Sequence, residues 1–277
     1  MSTCSGNCSA CKEKGFCSNE NAKLNSVLEK IRHKVMVLSG KGGVGKSSVA
    51  ASLAVLLARA GKSVGLLDLD FHGPSQPTLF GVQHLRLEGD ENGLLPMESK
   101  GVKLVSIGLL LDDADQAVIW RGPAKIGILK QLIEEVQWGD LDYLILDFPP
   151  GSGDEVLSAA QMITGDRRAL VVTTPQELSM ADCRKCIDFC RKLEIPLAGI
   201  VENMSGFTCP DCGHTHPLFS KGGGALLAKA YGVPLLAQLP LNPRFMERCD
   251  NGELDIALKE APEICNGLEN VISTIIQ

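Results

Sequence analysis

Apolar residues in this chain fall into short continuous runs separated by longer stretches with helical spacing. Residues 35–38, 63–67, 103–107, 143–146, 169–173, 197–201 and 235–239 read as buried strands. Residues 47–60, 123–136, 179–193 and 224–230 read as helices between them, and 254–257 and 264–276 as closing helices. Gly61 follows the first of these helices at a C′ position, where a left-handed residue stops the helix. Strands that are apolar throughout, alternating with helices, predict an α/β fold: a mostly parallel sheet with helices on both faces. Leu24, Val27, Leu28 and Ile31 share one helical face, so residues 21–32 are expected to dock on that domain. Residues 1–20 have no apolar period. The expected organisation is a Cys-rich segment with its docking helix over 1–32 and the α/β domain over 33–277.

One inter-element turn carries phosphate chemistry. Gly40-Lys41-Gly42-Gly43-Val44-Gly45-Lys46-Ser47 matches G-x-x-x-x-G-K-[ST] and lies between a strand and a helix. Its glycines let backbone N–H groups converge on phosphate oxygens at a helix N-terminus, where Ser48 also sits. Lys46 is positioned for the β- and γ-phosphates, and the Ser47 hydroxyl for Mg²⁺. Asp147 ends the strand 143–146, the place from which a carboxylate holds Mg²⁺ through water. Asp68 and Asp70 end the second strand.

The 277 residues are 44% hydrophobic and 22% charged, a globular composition. The net charge of −6 argues against nucleic acid as the main partner, and an aromatic content of 4% argues against base-stacking platforms. No apolar run approaches the roughly 18 residues of a membrane span; the most apolar, 49–58, is interrupted by Ser52. Residues 1–20 lack an apolar leader, so a cytoplasmic protein without a membrane partner is expected.

Eleven cysteines then demand an account, because cytosolic chains rarely use disulfides. Cys4, Cys8, Cys11 and Cys17 place four thiols in one short segment of small residues, enough for an iron–sulfur cluster or zinc. Cys209 and Cys212 form a C-P-x-C pair, two ligands for a soft metal, which a two-fold axis doubles to four. His214 and His216 follow at once, so a local zinc site and a redox dithiol stand as alternatives. Cys183, Cys186 and Cys190 share one face of a predicted helix and read as core packing.

The second lysine of the loop, Lys41, makes K-G-G-x-G-K-[ST]. This resembles the deviant Walker A loop shared by MinD, ParA, the nitrogenase iron protein and the Mrp/Nbp35 iron–sulfur cluster carriers. The C-x-x-C at Cys209 and Cys212, the C-x-x-C-x₅-C at Cys8, Cys11 and Cys17, and Trp120-Arg121-Gly122-Pro123 all resemble the Mrp/Nbp35 group. The first gap, from Cys4 to Cys8, is shorter than in that group's pattern.

The resemblance implies an ATP- and Mg²⁺-dependent homodimer. It implies a [4Fe–4S] cluster bridged by Cys209 and Cys212, a second at the N-terminal cysteines, and apo iron–sulfur proteins as recipients. It further implies Lys41 as a contact to the partner's nucleotide, Asp70 orienting the attacking water and Asp68 supporting the metal. Asn203 and Pro240, the latter within Leu239-Pro240-Leu241, would meet the adenine. His72 would be a hydrogen-bonded residue beside the nucleotide. Two other functions share the loop: a positioning or partitioning ATPase of the MinD/ParA type, and an ATP-driven electron donor like the nitrogenase iron protein. Residues 260–277 contain no Lys or Arg, which disfavours a MinD-like membrane anchor.

Overall fold

The computed structural model describes residues 21–110, 122–209, 212–219 and 222–276. The described chain runs α1 (Ala22–Glu29), β1 (Ile31–Ser39), α2 (Lys46–Arg59), β2 (Val64–Asp68) and α3 (Gln76–Phe80). It continues with β3 (Gly89–Asp90), β4 (Gly93–Leu94), β5 (Met97–Ser99) and β6 (Val102–Ser106), then a 3₁₀ turn, Ile107–Leu109. Next come α4 (Gly122–Glu134), β7 (Leu141–Asp147), α5 (Asp154–Met162), β8 (Arg167–Thr173), α6 (Glu177–Lys192) and β9 (Leu197–Glu202). The chain closes with β10 (Phe207–Thr208), β11 (Thr215–His216), α7 (Gly223–Tyr231), β12 (Leu235–Gln238), α8 (Pro243–Asp250), α9 (Leu254–Glu260) and α10 (Pro262–Ile275).

Eight strands form one sheet in the order β12-β9-β8-β1-β7-β2-β6-β5. All pair in parallel except β5, which runs antiparallel to β6 at the edge. Alternate residues of each strand point to opposite faces. Val35, Val37, Leu66, Ile145 and Val172 pack under α2 and α8–α10, while Met36, Leu38, Leu67, Leu146 and Val171 pack under α1 and α4–α7. Helices therefore cover both faces, as the strand composition predicts.

Several elements depart from the sequence reading. The predicted helix over 21–32 ends at Glu29, and β1 begins at Ile31, inside the expected N-terminal unit. Leu24 and Leu28 of α1 are buried with α4 and β7 residues in one core. Helices α3, α5 and α8 and the short strand β5 were not predicted. Helix α5 follows Pro149-Pro150-Gly151 and buries only Val156, Ala159 and Ala160, too few positions to make an apolar stripe. Helix α8 carries a legible start: Asn242 caps it by accepting the Phe245 N–H at 3.0 Å, and Pro243 occupies the first turn.

The order places β1 between β7 and β8, so the connection from β1 runs one way and the later strands build the other. Such a switch point opens a crevice at the carboxyl ends of the strands. Ser39, Asp68, Asp147, Thr173 and Glu202 all end strands there.

Candidate functional site

The loop from Gly40 to Gly45 leaves β1 and delivers Lys46 as the first residue of α2. Two glycines are required by space. A Cβ on Gly40 would lie 2.3 Å from the Asp182 backbone, which lets the loop lie against α6. Gly45 has φ +79°, and a Cβ there would lie 2.2 Å from Asn203 Nδ2. Asn203 donates from that nitrogen to the Val44 carbonyl at 2.9 Å, so it is physically joined to the loop. Ser39 Oγ donates to the Lys41 carbonyl at 3.0 Å.

Beneath the loop, β2 and β7 pair so that Asp68 and Asp147 lie side by side. Both carboxylates are buried. Lys46 Nζ lies 2.5 Å from Asp147 Oδ1 and 3.2 Å from Ser47 Oγ. Asp68 accepts from Ser106 Oγ at 3.0 Å and from the Asp70 and Gln76 backbone N–H groups at 3.1 and 3.3 Å. Burial, reinforced by the charge of Asp147, pushes the Asp68 carboxyl up to about 7.

Gln76 was not anticipated. It opens α3, is fully buried, and its Nε2 donates to Asp147 Oδ2 at 2.7 Å and to the Ser47 carbonyl at 3.1 Å. Its Oε1 is buried with no hydrogen-bond partner. A glutamine four residues into a Gly-Pro-Ser loop carries no motif, so only the folded geometry reveals it. Two buried carboxylates, the Ser47 hydroxyl and an unsatisfied amide oxygen form a hard-oxygen donor set that suits Mg²⁺. Lys46 and the N-terminus of α2 suit phosphate.

Asp70 Oδ1 accepts from the His72 and Gly73 N–H groups, both at 3.2 Å, which fixes the loop after β2. His72 Nε2 lies 2.7 Å from Lys125 Nζ, and that buried lysine also donates to Glu155 Oε1. Lys125 and Glu155 thus join α4 and α5 to this loop. Glu155 borders, with His72, Pro149 and Pro150, a hollow of about 460 Å³ that Asp70 also lines. Lys41 Nζ donates to Gln176 Oε1 of its own chain at 2.8 Å, at the start of α6.

On the other side of the loop lies a pocket of about 250 Å³, lined by Gly43, Gly45, Ser48, Asn203, Pro240 and Leu241 among others. Its walls are mainly apolar, with Asn203 among its few polar groups, a pattern suited to a planar heterocycle. The phosphate loop, Ser48, Asn203 and Pro240 therefore border one continuous region.

Cys209 and Cys212 lie on a hairpin made by β10 and β11. The Cys209 N–H donates to the His214 carbonyl, and the Gly213 N–H to the Cys209 carbonyl, both at 2.9 Å. Cys209 is half-buried and Cys212 exposed. His214 and His216 stack edge to face with ring centroids 4.7 Å apart. Among the described residues no three His, Cys, Asp or Glu side chains gather as a metal ion requires. Cys183, Cys186 and Cys190 are fully buried on α6, as core residues. Cys4, Cys8, Cys11, Cys17, Trp120 and Arg121 lie outside the described residues. Among the described residues, no helix is long and apolar enough to cross a membrane.

A family model described as a ParA-type NUBPL iron-transfer P-loop NTPase matches residues 30–276. An iron–sulfur cluster carrier protein of Methanocaldococcus jannaschii is 44% identical over 260 residues, spanning 91% of this chain and 90% of its own. A cytosolic Fe-S cluster assembly factor, the Nubp1 homolog of Drosophila pseudoobscura, is 42% identical, spanning 97% and 92%. Among solved structures, a nucleotide-binding protein from Archaeoglobus fulgidus in complex with ADP superposes with TM-score 0.75 at 38% identity, covering 84% of this chain and 91% of its own. The cell division ATPase MinD of Pyrococcus furiosus shares the fold at TM-score 0.61 and 23% identity, covering 88% and 98%.

Proposed function

The chain belongs to the iron-transfer P-loop NTPase family, and we propose that it binds and hydrolyses ATP while carrying a [4Fe–4S] cluster to apo iron–sulfur proteins. The observation that carries this reading is one chain holding both a complete phosphate loop and a C-x-x-C hairpin with Cys212 exposed. The names of the archaeal and insect relatives support the cluster as cargo, and the ADP of the Archaeoglobus structure supports the nucleotide. The word cytosolic in the relatives' names supports a cytoplasmic location.

In this reading Lys46 and the backbone of Gly40, Lys41, Gly42, Gly43, Val44 and Gly45 take the phosphates. Ser47, Asp68 and Asp147 hold Mg²⁺, which supplies charge neutralisation for phosphoryl transfer. Asp70 orients the attacking water, while Asn203 and Pro240 receive the adenine. Two thiols cannot complete a four-iron cluster, so a homodimer brings Cys209 and Cys212 of two chains together. Lys41 then leaves Gln176 of its own chain for the partner's nucleotide. Cys4, Cys8, Cys11 and Cys17 hold the second cluster. Hydrolysis is slow and linked to cluster binding or release.

The test is anaerobic reconstitution with iron and sulfide, read by Mössbauer spectroscopy and metal analysis. The Cys209→Ala/Cys212→Ala variant should lose about one cluster per dimer and keep the N-terminal one. Zinc uptake with no iron–sulfur species in either protein would make the chain a zinc-stabilised ATPase instead. Lys46→Ala should retain both thiols yet transfer cluster poorly to an apo acceptor; undiminished transfer would separate ATP from delivery.

A further inference from the structure

Glu202 is the last residue of β9, and its side chain is buried at 1% exposure. Its Oε2 accepts the Gly224 N–H at 2.5 Å, and its Oε1 accepts from Gln238 Nε2 at 2.7 Å. A carboxylate is costly to bury, and these two bonds together with the N-terminus of α7 compensate it. The approach is close: a Cβ on Gly224 would lie 2.9 Å from both Cβ and Oε2 of Glu202.

The position of this clamp in the chain gives it a consequence. β9 ends at Glu202 and α7 begins at Gly223; between them in the chain lie Cys209 and Cys212, and Gly224 meets Glu202 on the far side. One carboxylate therefore joins both roots of the cysteine segment. The outgoing root is also bonded to the wall of the base pocket. The Ser205 N–H donates to the Leu239 carbonyl at 2.9 Å, and the Leu241 N–H donates to the Gly206 carbonyl at 2.7 Å. Phe207, which opens β10 and pairs with His216 of β11, also bridges to Leu241. Asn203, next to Glu202, bonds the phosphate loop at Val44. Asn203 and residues 239–241, which line the pocket, are thus tied to the hairpin's roots.

We propose that Glu202 is a positioning residue that makes the base pocket and the C-x-x-C hairpin move as one unit, so that nucleotide occupancy is read at Cys212. This rests on the nucleotide reading of the pocket given above. The route lies within one chain and needs no change of dimer geometry.

The experiment uses the reduced, metal-free full chain. Iodoacetamide alkylation of Cys212 is followed peptide by peptide, with and without saturating ATP and Mg²⁺, and nucleotide affinity is measured on the same samples by calorimetry. In the unaltered chain the alkylation rate should change by about fivefold or more on saturation. Glu202→Ala should bring that change below about twofold while affinity stays within about threefold. Glu202→Gln should restore most of the change, since its amide oxygen still accepts the Gly224 N–H and the Gln238 amide can turn to match.

The proposal is overturned if saturating nucleotide leaves Cys212 alkylation unchanged in the unaltered chain, or if Glu202→Ala keeps the full response. Should circular dichroism show that Glu202→Ala does not fold, Gln238→Ala removes one of the two bonds and must reduce the response; an undiminished response overturns the proposal. Absence of nucleotide binding in calorimetry is a separate result and overturns the reading of the pocket itself.

Discussion

The ammonium of Lys46 lies 2.5 Å from Oδ1 of Asp147, and both side chains are buried. In this state the lysine proposed for phosphate neutralises the carboxylate proposed for Mg²⁺. Phosphate and metal arriving together would separate the pair and give each group its own counter-charge. Removing one partner of a buried pair costs about 3–5 kcal/mol, because the other charge is left uncompensated. Lys46→Met should therefore lower the melting temperature of the nucleotide-free chain by about 6–15 °C. Adding Asp147→Asn should recover at least about half of that loss. Scanning fluorimetry of the single and double variants measures this directly, and a single variant as stable as the parent would show that the pair does not hold the site.

Asp68 gives the site a pH dependence. Its carboxyl is raised from 3.8 to about 7, by burial first and then by Asp147. Across that interval the folded chain binds a proton that the unfolded chain has released. The group's contribution to stability is therefore present at low pH and is lost as pH rises towards 7. Asp68→Asn copies the protonated form without titrating. The melting temperature of the variant minus that of the parent should be smallest near pH 4, should grow across the interval, and should be several degrees larger by about pH 8. A difference that stays constant with pH would mean that Asp68 is ionised throughout.

Gln76 joins the metal-side carboxylate to the phosphate loop through bonds to Asp147 and the Ser47 carbonyl. Hydrogen bonds to charged groups contribute about 1.5–3 kcal/mol, so Gln76→Leu should reduce Mg²⁺-dependent ATP turnover by about 10- to 100-fold. Nucleotide affinity measured without Mg²⁺ should fall by less than about threefold, since no phosphate contact is removed. The comparison of turnover with metal-free affinity separates a role at the metal from a general loosening of the fold. A parallel fall in both would assign Gln76 to packing.

What the sequence revealed and what it hid follow one physical division. Strands β1, β2 and β7–β9 are buried on both faces, so their apolar runs are unambiguous, and the carboxylates that end β2 and β7 stand out. The phosphate loop is legible because its chemistry demands glycine and lysine at fixed spacing. The contacts that complete the site are not periodic. Gln76, Lys125, Glu155 and Gln176 reach it from α3–α6 across large sequence separations, and each is an ordinary polar residue in its local context. Glu202 likewise ends a strand as any acidic residue might, and only the return of the chain at Gly224 gives it a task. The start of helix α5 is masked by Gly151 and Gly153, although Asp154 and Glu155 give it an acidic first turn.

The cysteines should separate into two chemical classes, which also tests the division between core and site. Burial raises the Cys183 thiol. Cys186 is raised by its hydrogen bond with Cys190 and then by burial, and Cys249 is pushed up to about 12 by burial and Asp250. Only the thiolate reacts, so these residues should resist alkylation in the folded chain, at rates about a hundredfold or more below that of exposed Cys212. Denaturant should equalise them. Substitution should sort them in the opposite sense. Cys186→Ser puts a hydroxyl into the apolar layer between α6 and β8 and should cost about 1–3 kcal/mol. Cys212→Ser, on the open hairpin, should change stability by no more than about 0.5 kcal/mol. Mass spectrometry of time-resolved alkylation and urea melts of the two variants supply both readings. Rapid labelling of Cys186 in the native chain would mean that α6 opens, and would return its three cysteines to the set available for metal chemistry.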